Sequence, residues 1–327
     1  MIIYNPLPES FRCIGVPAPA SCVDKEKIGD GCRMAERLGV KISVGDFFSA
    51  PRGEKYFSSD VPYRMEEMNN FLHNGKIDMI LCARGGYGSA YLLPSLDYEA
   101  LKNRKFPLAI GGFSDITALH LALLSKNIAG GIACPMFGHF ADICRSEKMA
   151  SSMRETLSAF LKMGDLLMSS PPEKILEKRK TLRWKKICSC RHSFGENEQI
   201  LPVTAPVIPA NLTLLTRLCG TPYLPDFSGK LLLLEEVGEL PRKVDFSFLQ
   251  LLYAGVFQKC AGILLGQYTN CGKRSELYSI FRRFARMSQK PFYGFIPFGH
   301  GKETLSLICN EPCRIEKNGS LYLLREH

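Results

Sequence analysis

One ten-residue run constrains this chain most: Leu108-Ala109-Ile110-Gly111-Gly112-Phe113-Ser114-Asp115-Ile116-Thr117. It reads as a buried strand that stops abruptly, turns on a glycine pair and opens a helix at Ser114. Such a segment sets the serine proud of a sheet edge, beside the first free amides of the helix. Two readings follow. Serine is a favoured N-cap, because its hydroxyl accepts from orphan helix amides. The same placement suits a nucleophile, since one turn then supplies the attacking oxygen and a donor for the oxyanion. A cap alone gives no reason for Gly111-Gly112, so the leading reading is a hydrolase.

The flanking pattern predicts a parallel α/β sheet over residues 1–150. Strands are expected at 13–17, 41–44, 77–82, 107–111 and 132–133, with helices over 25–38, 62–72 and 116–124. Beyond 150 the character changes. Residues 151–163 form a helical pattern with Met153, Leu157, Phe160 and Leu161 as its apolar stripe. The polar, basic remainder to 200 reads as a link carrying a mobile loop. Over 201–327 strands are expected at 201–208, 230–234, 261–266 and 291–296, and helices at 211–218, 246–254 and 275–287. A hairpin at Lys317-Asn318-Gly319 follows.

Composition narrows the class. A length of 327 residues suits two domains better than one core, and 46% hydrophobic with 23% charged residues is ordinary globular material. No apolar run approaches the ~18 residues a membrane helix needs. The start, Met1 to Glu9, lacks a basic leader, so cytoplasmic residence and no membrane partner are expected. Thirteen cysteines scattered from Cys13 to Cys313 form no disulfide framework and point to a reducing compartment. The tightest cluster, Cys188-Ser189-Cys190-Arg191-His192, has no second pair at finger spacing, so a polar strand or loop is expected there and no metal. The net charge of +10 favours an acidic partner. Much of it lies in the basic residues from Lys174 to Lys186 and in Arg282, Arg283 and Arg286, without the aromatic interleaving of a nucleic-acid platform.

Three further motifs sit at strand ends, where α/β proteins build their sites. Arg84-Gly85-Gly86-Tyr87-Gly88 follows an apolar strand and reads either as a tight turn or as exposed amides for an anion or oxyanion. It is not a dinucleotide fingerprint, and no cofactor is expected. Leu234-Glu235-Glu236-Val237 closes an all-leucine strand with carboxylates that are either solvated or aimed into a cleft, where one could orient an imidazole. Phe298-Gly299-His300-Gly301 holds a histidine that its neighbours do not pack. His73 and His327 read as exposed, His192 belongs to the link, and His120 points away from Ser114. That leaves His139 as the rival of His300 for the part of base.

These motifs, with Asn211-Leu212-Thr213-Leu214-Leu215, occur in the order and spacing of the LD-carboxypeptidase family of serine peptidases, which also includes the microcin C immunity peptidases. The chain resembles that family from Val16-Pro17-Ala18-Pro19 onward, most thinly over 150–200. The resemblance implies a flavodoxin-like N-terminal domain with a nucleophile elbow and a smaller C-terminal α/β domain. It also implies Ser114 as nucleophile, His300 as base and Glu235 as the acid orienting it. The Asp115 amide with one from Gly85 or Gly86 would make the oxyanion hole, and Arg84, Tyr87 and Asn211 would contact substrate. The implied substrate is a cytoplasmic murein tetrapeptide cut at the L,D amide to its terminal D-Ala, by a metal-free homodimer. Pro209-Ala210 replaces the usual Gly-Gly before Asn211, Cys134 replaces a common glycine, and the usual Leu-Pro-x-Gly after His300 is absent.

Two other functions remain open from sequence. One is a microcin-type immunity peptidase acting on acyl-peptide nucleotides, in which Trp184 would stack a base. The other is a non-catalytic protein that binds anionic peptides on its glycine loop.

Overall fold

The computed structural model describes residues 13–37, 39–50, 54–104, 107–140, 142, 147–164, 166–167, 175, 182–190, 192–194 and 202–326. The chain start through Glu9, Leu38, the basic residues from Lys174 to Lys180, Leu201 and His327, all read above, lie outside them.

Short runs of apolar residues make the first sheet: β1 (Ile14–Val16), β2 (Ile42–Val44), β3 (Met79–Leu81), β4 (Ala109–Gly112) and β5 (Gly131–Ala133). They lie parallel in the order β2-β1-β3-β4-β5, the flavodoxin-like arrangement. Strands β1, β3, β4 and β5 are buried along their length, as a parallel sheet covered on both faces requires. Around them run α1 (Lys25–Arg37), α2 (Val61–His73), α3 (Tyr98–Lys102), α4 (Thr117–Ser125) and α5 (Glu147–Met163). Helix α2 starts where the sequence stops it from starting earlier: the Asp60 side chain accepts from the Tyr63 amide at 2.9 Å, and Pro62 fills the first turn. Helix α4 is buried from Thr117 to Leu123, apolar all round, so it lies at the centre of the molecule.

The second sheet collects β6 (Leu182–Ser189), β7 (His192–Phe194), β8 (Val203–Asn211), β9 (Leu231–Val237), β10 (Gly262–Thr269), β11 (Phe292–Gly294), β13 (Glu311–Ile315) and β14 (Ser320–Glu326). Strands β8 to β11 are parallel, and the flanking pairs are antiparallel. Helices α6 (Leu212–Leu218), α7 (Pro241–Tyr253), α8 (Val256–Lys259) and α9 (Arg274–Ser288) complete this half. One core spans both halves, joining Ile116 and Leu119 to Leu212, Leu215 and Phe248, with α4 packed on α6. The two-residue strand β12 (Leu307–Ile308) crosses back and pairs antiparallel with β5 at the edge of the first sheet.

The structure departs from the sequence reading at 182–189 and 192–194. These residues, expected within an irregular link, are the two edge strands β6 and β7 of the second sheet. They bring that sheet to eight strands against six in the first. Lysines and arginines hid β6 because an edge strand keeps one side in water and carries charge there. Trp184, opposite Leu324, lies beneath the Arg314 guanidinium at 4.9 Å.

A buried ion pair ties β12 to the last hairpin. Arg325 pairs with Glu311 and donates from Nη2 to the Ser306 carbonyl at 2.9 Å, while the other Glu311 oxygen accepts from the Ile308 amide at 3.2 Å. Removing the cation strands a buried carboxylate. Arg325→Met is therefore expected to cost about 3 kcal/mol in urea unfolding, with Arg325→Met/Glu311→Gln recovering part of it. A loss under ~1 kcal/mol would show that the pair holds nothing together.

Candidate active site

Ser114 sits at the head of a turn that the backbone cannot relax. Its φ is 59°, the left-handed region that a non-glycine residue adopts at a cost. Gly112, at φ 152°, allows the approach, since a β-carbon there would lie 2.8 Å from Ile116 Cγ1. A single-turn helix over Ser114–Ile116 then leads into α4. This is the strand–turn–helix that the sequence predicts, and Ser114 does not donate or accept as a simple cap.

The glycine loop lies against this turn. A β-carbon built on Gly85 would fall 3.3 Å from the Phe113 carbonyl and 3.4 Å from the Asp115 nitrogen, so the two backbones touch. The Asp115 side chain locks them together: it accepts from the Ser89 amide at 2.8 Å, while Ser89 Oγ donates to the Asp115 carbonyl at 2.7 Å. Burial raises the Asp115 pKa, against the bonds from Ser89 and Gly88 and the charge of Arg64. Arg64 is itself buried. It donates to the carbonyls of Ser59, Pro19 and Gly88 at 3.1, 2.7 and 3.0 Å, and covers the Phe57 ring. Sequence reasoning missed Arg64 and Ser89, because an arginine on an amphipathic helix ordinarily reads as a solvated residue.

From the second sheet comes an acid–imidazole pair. Glu235, at the end of β9 and wholly buried, accepts from His300 Nδ1 at 2.7 Å. Asn211, last residue of β8 and N-cap of α6, donates from Nδ2 to Glu235 at 3.0 Å and to Glu236 at 3.1 Å, and accepts from the Leu214 amide. Its side chain, expected at the substrate, is thus engaged with two carboxylates and a helix amide of the protein itself. Glu236 in turn accepts from the Thr213 amide and hydroxyl at 2.9 and 2.6 Å. The His300 ring lies 4.7 Å from that of Phe113, the residue before Ser114. His139 approaches the same ring at 6.2 Å, and of the two imidazoles it is that of His300 that pairs with the glutamate.

The remaining candidates lie at the rim. Arg84 and Tyr87 are exposed; Arg84 Nη1 donates to the Cys22 carbonyl at 2.7 Å, and Tyr87 stacks on Phe57 at 5.7 Å. Gly86 is exposed and left-handed, whereas Gly85 is buried. His192 lies in β7 among Tyr278, Phe194 and Phe295. Among the described residues no helix is long and apolar enough to cross a membrane.

Two sequence profiles, described as the LD-carboxypeptidase N-terminal and C-terminal domains, match residues 14–132 and 204–315. The chain belongs to the LD-carboxypeptidase family. It is 27% identical over 311 residues to the murein tetrapeptide carboxypeptidase of Pseudomonas aeruginosa, covering 93% of each chain. It is 26% identical over 309 residues to the microcin C7 self-immunity protein MccF of Escherichia coli, covering 89% of this chain and 85% of that one. The crystal structure of muramoyltetrapeptide carboxypeptidase from Oxalobacter formigenes superposes with a TM-score of 0.71 at 23% identity, over 96% of this chain and 99% of that one. This family membership supports hydrolysis by the LD-carboxypeptidase fold.

His120, on α4, is the internal brace of the elbow. Its Nε2 donates to the Ile110 carbonyl at 2.9 Å, and burial holds its pKa down at about 4. The unfolded chain therefore binds a proton below pH 6.5 that the folded one refuses until about pH 4. Stability from this group is complete above pH 6.5 and falls between there and pH 4, by about 3 kcal/mol in all. Relative to wild type, His120→Gln is expected to flatten unfolding free energy across that window; parallel pH profiles would refute the assignment.

Proposed function

We propose that this protein is a serine LD-carboxypeptidase that removes the terminal D-Ala from cytoplasmic murein tetrapeptides, in the course of peptidoglycan recycling. The observation that carries the reading is the 2.7 Å Glu235–His300 pair, beside a serine held in a strained, left-handed turn. Buried Glu235 fixes the proton on His300 Nδ1, which leaves Nε2 to accept from Ser114. His300 takes the Ser114 proton as Oγ attacks the scissile carbonyl. The amides of Asp115 and of Gly85 or Gly86 receive the oxyanion. His300 then protonates the leaving amine, and water releases the acyl group by the reverse sequence. Arg84 and Tyr87 face the substrate from the rim.

The relatives named for murein peptides support this substrate, and the basic charge suits a peptide rich in carboxylates. Trp184, packed under Arg314 on an edge strand, gives a nucleobase no support.

Incubation with free tetrapeptide, followed by mass spectrometry, is expected to show loss of one alanine. Ser114→Ala abolishes turnover and labelling by a fluorophosphonate, and Glu235→Gln lowers kcat by about 10⁴-fold with its fold intact. Turnover of an aminoacyl sulfamoyl nucleoside without alanine release would reassign the protein to the immunity branch. Absence of both, with no labelling at Ser114, would leave a binding protein.

A further inference from the structure

An enzyme that removes only the last residue must read the free end of its substrate. That carboxylate lies one α-carbon beyond the scissile nitrogen, within about 3.5 Å of chain. Its receptor therefore has to adjoin the oxyanion amides, and it has to be cationic and open to solvent.

We propose that Arg84 and His139 together form the subsite for the substrate's terminal carboxylate, which confines cleavage to the last peptide bond. The inference rests on the peptidase reading above and adds the feature that makes the site an exopeptidase.

Arg84 immediately precedes Gly85, whose backbone touches the Asp115 amide. Its Nη1 is pinned on the Cys22 carbonyl at 2.7 Å, which fixes the guanidinium plane and leaves its other donors free to point outward. His139 arrives from a second direction on a turn stitched to the same loop. There the Phe137 amide donates to the Cys82 carbonyl at 2.9 Å and the Gly138 amide to the Ala83 carbonyl at 3.0 Å. His139 reaches the surface, and its ring stands 6.2 Å from the Phe113 ring.

The charges around His139 are unbalanced. Partial burial of the ring, which costs the charged form its water, lowers its pKa first. Lys27 from α1 lowers it further, as do His300 and Arg84, and Asp142 alone opposes them. The cations of Lys27 and Arg84 thus meet one acid, Asp142, at the mouth of the site. A carboxylate entering there relieves their repulsion and draws a proton onto His139, so an imidazole poorly charged in the free protein becomes charged in the complex. Bidentate contact with Arg84 and a charged bond from His139 would then distinguish an acid from its amide.

The test compares a murein tetrapeptide with the same peptide ending in a carboxamide. Wild type is expected to favour the acid by about 100-fold in kcat/KM. Arg84→Ala and His139→Gln each lose about 10-fold more on the acid than on the amide, through KM, while the double variant shows no preference. Arg84→Lys restores part of the loss. In His139→Gln the rise of KM for the acid between pH 5 and 7 disappears. Equal losses on acid and amide, or losses confined to kcat, overturn the proposal. Calorimetric titration of Ser114→Ala with both peptides reads the subsite without turnover. Acid binding that survives the added Arg84→Ala/His139→Gln change also overturns it, whereas a wild type that binds the acid selectively but cleaves nothing defeats only the peptidase reading.

Discussion

A carboxylate with no access to water is tolerated only when its oxygens are answered by donors, and Glu235 is that group here. His300 answers one oxygen and Asn211 the other. Asn211 can do so because its own amide is fixed by Glu236 and by capping α6. Glu236 is fixed in turn by Thr213 at the first turn of that helix. The orientation of one imidazole therefore depends on three consecutive elements of the second sheet. Two side-chain carboxylates share one amide group, an arrangement with no slack.

The first sheet solves a different problem with different means. Its turns are held chiefly through bonds to backbone. Arg64 holds three carbonyls, Asp115 holds the Ser89 amide, and His120 holds the carbonyl of Ile110 inside β4. The strain at Ser114 persists because these bonds surround it. Charge and proton chemistry come from one half of the molecule, and donor geometry from the other.

The strands that carry the site were legible because each is a dense apolar run broken by an abrupt polar or glycine end. Ser114, Glu235 and His300 stand at three of those ends. Asn211 was legible only as the start of a helix and, through the family resemblance, as a substrate contact. Its grip on Glu235 depends on the parallel register of β8 and β9, which places Asn211 opposite Glu235 and leaves no local trace. Arg64 was invisible for the same reason, since the carbonyls it binds lie up to 45 residues away in sequence. Strands β6 and β7 were lost because charged edge strands lack the alternation that marks a half-buried one. At two residues, β12 is shorter than any periodicity can show.

That smallest strand has the widest reach. The segment bearing His300 runs from β11 in the second sheet, where Ile296, Phe298 and His300 stay bonded to β10, across to β12 in the first. The imidazole it carries is held by the second sheet, through Thr269 at its backbone and Glu235 at its ring, while the chain beyond it is sewn into the first. Prising the halves apart would unzip Leu307 and Ile308 from Ala133 and Ile132 and uproot buried Arg325 with them. The molecule is consequently laced shut around its chemistry, and traffic in and out must pass over the rim.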